Sequence, residues 1–143
     1  MRVPVIAVLA AFAISVGSVS PPHTIEAKGG HGWMKFWGDG TSEMSGRGTL
    51  TIWNRSNQQM EVKGTWAEMN AFPDGATYTH FEGSVRSLGL GIHVELRGWD
   101  LVLAARGVRG KAWFRGEGTA VIDGGLVQLW SSHPDKWLKV KYP

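Results

Sequence analysis

The sequence predicts an all-β protein, an antiparallel sandwich or small barrel of about nine or ten short strands. Three observations carry this. Apolar and polar residues alternate along most of the chain after residue 32, and a period of two marks strands with one buried face. Runs of about five to eight residues are separated by Gly, Asp, Asn, Ser and Pro, the residues that permit turns. No long window after residue 20 has a helical period.

The strands follow in order as 33–37, 47–53, 59–67, 77–86, 91–97, 99–105, 109–115, 117–122, 126–131 and 137–142. Leu50 and Ile52 alternate with Thr49, Thr51 and Trp53. Met60, Val62, Gly64 and Trp66 share one face, against Gln59, Glu61, Lys63 and Thr65, so Trp66 is expected in the core. The stretch WAEMNAF, 66–72, is the one candidate for a turn of helix, ending before Pro73. Ile92, Val94 and Leu96 alternate with His93, Glu95 and Arg97. Trp99 to Ala105 is more continuously apolar, which predicts a central strand buried on both faces with Trp99 in the core. Ala112 and Phe114 alternate with Lys111, Trp113 and Arg115. Asp123-Gly124 is a good hairpin signal; Arg97-Gly98 and Arg106-Gly107 are weaker ones.

Gly-x-Gly recurs at Gly46-Gly48, Gly89-Gly91 and Gly116-Gly118. Glycines at bulges and corners fit a sandwich or barrel. A β-solenoid is the alternative, but it asks for a more regular period. Short loops favour antiparallel meander connections.

Composition narrows the function classes. The chain has 143 residues, which suits one domain. It has no Cys, which excludes a disulfide framework, a thiolate metal site and a Cys nucleophile. The net charge of +3 is mild and far from a nucleic-acid footprint, so no nucleic-acid partner is expected.

Residues 1–20 read as a signal peptide: Arg2, an apolar run from Val3 to Val16, then small residues. Cleavage is expected near Ser18, with Ala27 as the second site. The alternative is an N-terminal membrane anchor, for which Val3 to Val19 is at the short limit. No later stretch is long enough to span, so the mature chain is expected to have no membrane span and to be periplasmic, surface-bound or extracellular. A transmembrane barrel would use longer strands. Residues 21–32, with two prolines and three glycines, read as a linker before a single domain over 33–143. Asn54-Arg55-Ser56 matches a glycosylation sequon.

Catalytic motifs are missing. There is no G-x-S-x-G, H-E-x-x-H, Walker loop or dinucleotide fingerprint. Ser131-Ser132-His133-Pro134-Asp135 holds triad letters but reads as a turn. His80 with Glu82 and His93 with Glu95 each share one strand face. If those strands were neighbours, the four side chains would form a metal cluster. Solvated faces of alternating strands produce such pairs without a metal, and no cofactor is expected.

The eight tryptophans are more distinctive. Trp53 lies on the Thr49/Thr51 face and Trp113 between Lys111 and Arg115. Exposed indoles beside cations suit sugar stacking or an interface. Basic residues concentrate at Arg97, Arg106, Arg109, Lys111 and Arg115, and again at Lys136, Lys139 and Lys141. Trp53, Trp113, Lys111 and Arg115 are therefore the expected ligand-binding residues. The expectation is a non-catalytic secreted or envelope module that binds envelope polysaccharide or self-associates. A carbohydrate-binding module and a small secreted hydrolase are the alternatives.

Overall fold

The computed structural model describes residues 23–54, 58–129 and 137–142. The expected signal peptide, the sequon residues Arg55 and Ser56, the segment 131–135 and Lys136 lie outside the described residues. The chain is all-β. Its elements are β1 (His23–Trp53), β2 (Gln58–Thr65), β3 (Glu68–Phe72), β4 (Gly75–Gly107), β5 (Gly110–Ile122), β6 (Leu126–Leu129) and β7 (Leu138–Lys141). They form one antiparallel sheet in the order β2-β4-β1-β5-β6, with β3 on β4 and β7 on β5. The path is open: β2 and β3 stand at one end, β6 and β7 at the other.

Expected separate strands merge into long ones. The runs 33–37 and 47–53 both belong to β1; 77–86, 91–97 and 99–105 belong to β4. The reason lies in the glycines, which are taken into the strands instead of separating them. Gly116 pairs Gly32, Gly32 pairs Gly98, and Gly98 pairs Gly48. Gly46 and Gly64 both pair Gly83. At Gly98, with φ +155°, a Cβ would overlap the carbonyl oxygen of Arg47 and lie 2.8 Å from the Gly48 Cα. Only glycine permits such close backbone approach where a sheet bends.

The bend lets the β1–β4 ribbon double back on itself. Leu96 pairs Met34 on one side and Leu50 on the other; Leu103 pairs both Ala27 and Met44. Part of β4 is thus enclosed between two parts of β1. The inward row Phe114, Met34, Leu96, Leu50, Tyr78 crosses five strand segments. Its first four residues are buried, as are Phe36, Phe81, Ile92 and Leu101. No helix covers them among the described residues, so the sheet covers its own face. Each such side chain contributes roughly 1.5–3 kcal/mol through burial.

Four expectations need correction. The linker 21–32 is, from His23 on, the start of β1, and it pairs with 98–107. Ile25 and Ala27 are core residues, and Gly29 to Gly32 form the bend rather than a flexible joint. The strand through Trp99 to Ala105 alternates instead of being buried on both faces: Leu101, Leu103 and Ala105 are buried, Val102 and Ala104 exposed. Trp99 itself is 52% exposed and packs on His31 at 4.8 Å. Asp100, at φ 57°, puts the strand out of phase, so the inward residues change from Ile92, Val94 and Leu96 to Leu101 and Leu103. Trp66 is 40% exposed because β2 is an edge strand that ends at Thr65. The expected helical turn in 66–72 is strand β3.

The Asp123-Gly124 hairpin forms as expected. Both residues have positive φ, as a type I′ turn requires, and Ile122 accepts from Gly125 N–H at 3.2 Å. Arg97-Gly98 makes no hairpin and lies within β4. A second corner is tied by Asp39. Its carboxylate accepts from Gly91 N–H at 2.9 Å and from Arg109 Nη2 at 2.8 Å.

A candidate binding face of tryptophans and cations

Alternation places Met34 and Phe36 inward and Trp33, Lys35 and Trp37 outward. The neighbouring segments 93–97 of β4 and 111–115 of β5 alternate in phase with them. Registry then fixes three rows across the outer face. Arg115, Trp33, Arg97 and Thr49 form the first. Lys139, Trp113, Lys35, Glu95, Thr51 and Thr77 form the second. Lys141, Lys111, Trp37, His93 and Trp53 form the third. Trp137 joins at the end of β7, 5.1 Å from the Trp33 ring.

Cations and indoles interleave throughout. Lys35 Nζ lies 5.1 Å from the Trp33 ring centre and 4.6 Å from that of Trp137. Arg97 lies 5.0 Å over Trp33 and Arg115 5.7 Å over Trp137. Lys111 lies 5.0 Å over Trp37 and Lys139 5.9 Å over Trp113. Each contact contributes about 0.5–1 kcal/mol at an exposed site.

Glu95 is the one acid in the three rows. It accepts from Trp33 Nε1 at 3.3 Å and lies 3.4 Å from His93 Nε2. Burial pushes its carboxyl up, but the His93 hydrogen bond and the charge of Lys35 outweigh burial and hold it below the ordinary glutamate range. Its role here is to orient Trp33 and His93. His93 in turn stacks on Trp53, with centroids 3.8 Å apart.

The expected ligand-binding residues Lys111, Trp113 and Arg115 lie together on this face. Trp53 lies on the same face, at the far end of the third row. Neither Trp53 nor Trp113 is fully open: Trp53 is covered by His93 and edged by Phe72, and Lys139 lies over Trp113. Trp37 is the most exposed indole of the face, at 45%, with Lys111 over its ring. The four expected metal ligands are not brought together. His93 and Glu95 meet, but Glu82 pairs Arg47 further along β1, and His80 is exposed beside it. Among the described residues no group of three or more His, Asp or Glu side chains is placed to share a metal ion.

The basic cluster also divides. Arg97, Lys111 and Arg115 belong to the face, Arg109 is committed to Asp39, and Arg106 lies beyond the bend, opposite Thr24 and Thr41. Trp33, Lys35 and Trp37 stand outside the ligand-binding set expected from the sequence. Their signal is present in it: Trp-x-Lys-x-Trp with Met34 and Phe36 between. Comparisons with protein-family models, with curated proteins and with solved structures each find no match.

Proposed function

We propose that this protein is an exported, non-catalytic binding module whose tryptophan–cation face holds an acidic polysaccharide of the cell envelope. One observation carries the reading. Five tryptophans, Trp33, Trp37, Trp53, Trp113 and Trp137, interleave on one sheet face with Lys35, Arg97, Lys111, Arg115, Lys139 and Lys141, and among the described residues of its three rows Glu95 is the single acid. Indole rings stack on the C–H faces of sugars. Lysine and arginine pair with carboxylate or phosphate substituents, and arginine does so bidentately. A neutral glycan would leave the cations unmatched, so charge favours the acidic class. The shape suits a chain polymer: the face is a ladder of strands, not a cleft. General acid–base hydrolysis asks for two carboxyl groups about the scissile bond, and the three rows offer one, already engaged by Trp33 and His93. That supports a non-catalytic role. Export rests on the apolar N-terminal segment with its small-residue exit. We read the doubled-back sheet as a small barrel-like enclosure, supported by the two registers in which β1 pairs β4.

Titration of the isolated protein with a polyuronate oligosaccharide, followed by tryptophan fluorescence, tests the reading. Binding is expected, weaker at high salt, and at least about tenfold weaker for Trp37→Ala and for Lys111→Ala. Equal affinity for a neutral glucan, or binding that both variants leave unchanged, would overturn it. Fractionation of the producing cells, with N-terminal sequencing of the product, tests export.

A further inference from the structure

The sheet is open, and its two ends differ. At one end the outer side of β5 is covered by β6 at 119–122 and by β7 at 111–114. At the other end β2 pairs β4 on its inner side, and no strand pairs its outer side among the described residues. A strand of this length presents a row of N–H and C=O groups that seek a partner. Its inward residues Met60 and Val62 are only partly buried, packed against the core from one side. Its outward residues Glu61 and Lys63 are exposed, with a contact of 3.8 Å between them.

We propose that β2 is a homodimerisation edge, at which a second copy of this chain adds its own β2 antiparallel across a two-fold axis. The argument is one of register. A two-fold axis normal to the sheet keeps inward residues opposite inward residues, so a residue of β2 pairs either itself or one of the same parity. Centring the axis on Glu61 sets acid against acid; centring it on Lys63 sets base against base. Centring it on Val62 sets Glu61 of each copy opposite Lys63 of the other, twice. Opposed charges on facing strands attract and like charges repel. The same register stacks Val62 on Val62 and lays each Met60 beside the small Gly64 of the other copy, so the half-covered apolar positions are sealed. Charges on an edge usually deter pairing; here they favour the register centred on Val62 and oppose the two on either side of it. The interface uses none of the residues of the tryptophan–cation face, so it stands or falls independently of the ligand.

Sedimentation velocity of the chain as isolated from its producing cells, over a tenfold concentration range, tests the proposal. A monomer–dimer equilibrium is expected for the native chain. Glu61→Lys alone and Lys63→Glu alone, each of which sets like charges opposite, are expected to weaken the dimer about tenfold or more. The double exchange Glu61→Lys with Lys63→Glu restores opposite pairs and is expected to return the dimer to near-native strength. Both side chains are exposed, and far-UV circular dichroism checks that each variant folds. Amide hydrogen exchange supplies the second readout: residues 58–65 are expected to gain protection as concentration rises. A strict monomer over the whole range overturns the proposal. So does an oligomer that the single exchanges leave unchanged, or a double exchange as weak as the singles.

Discussion

The same three strands pass on either side of the glycine row, and the two stretches have different outer chemistry. On one side lie 33–37, 93–97 and 111–115; on the other lie 24–28, 102–106 and 119–121. Their inner faces are alike: Met34, Phe36, Val94 and Leu96 on one side, Ile25, Ala27, Leu101 and Leu103 on the other, all buried. Their outer faces are not. The first carries tryptophans and cations. The second carries Glu26, Lys28, Val102, Ala104, Thr119 and Val121, which line a shallow open depression. The core dictates the inward residue at each position, because volume and polarity there are constrained. Nothing in the fold dictates the outward residue. Three indoles, Trp33, Trp37 and Trp113, lie on the first stretch and none on the second, a difference that the inner packing does not require.

The largest way to break the comparison is to remove what both stretches share. Gly98→Ala forces a Cβ into the Arg47 carbonyl at a positive φ. It is expected to cost about 3 kcal/mol or more in urea denaturation, and to disorder both stretches together. Gly125→Ala, at a turn with nothing within 4 Å of its Cβ, is the control and stays within about 0.5 kcal/mol of the native chain. Next comes a pair of neighbours on β1. Phe36→Ala empties a fully buried site and is expected to cost about 3–5 kcal/mol. Trp37→Ala, one residue on, exposes little that was covered and is expected to cost under about 1 kcal/mol while weakening polyuronate binding. If Trp37→Ala destabilises as much as Phe36→Ala, the outer face is packing and not a site. Val102→Ser, on the other stretch, sharpens the contrast: it is expected to leave binding unchanged.

The inner face was legible from the sequence, and the bends were not. Leu50/Ile52, Ile92/Val94/Leu96 and Ala112/Phe114 face inward as their alternation predicts. Periodicity reports a face only within one phase, however. Asp100 breaks the phase between Leu96 and Leu101, and Trp99, before the break, keeps the outward parity of His93, Glu95 and Arg97 instead of entering the core. Glycine punctuation misled in the other direction. Gly29, Gly30 and Gly32 look like a linker because a glycine cluster at a bend and one in a coil have the same composition. Only the partner residues, Gly98 and Gly116, tell them apart, and pairing over such separations is not written in local sequence. The face was half legible. Trp113, Lys111 and Arg115 stand out by alternation in one segment, but their joining to Trp33, Lys35 and Trp37 depends on the register of β1 with β5.

The smallest expected effect isolates the one acid of the face. Glu95 is held below the ordinary glutamate range in the folded chain, so the folded state resists protonation more than the unfolded one. As pH falls, the unfolded state takes up its proton first, and stability falls with it. The contribution is therefore complete above the unfolded glutamate range and is lost as pH drops through the lowered folded value. Asp123 runs the same way: the backbone hydrogen bond from Thr24 and the contact with His23 hold it low, against burial. The native profile mixes both groups, and substitution separates them. Glu95→Gln keeps the shape and an acceptor for Trp33 Nε1 but removes the charge beside His93 and Lys35. It is expected to cost about 1 kcal/mol near neutral pH and to flatten part of the acid slope. Asp123→Asn flattens its own part and leaves the fluorescence of the tryptophan face unchanged. Urea midpoints against pH, with tryptophan emission as the second signal, read both. An acid slope that Glu95→Gln leaves intact would mean that Glu95 does not hold Trp33 and His93 by its charge, and that the face owes its order to the cations alone.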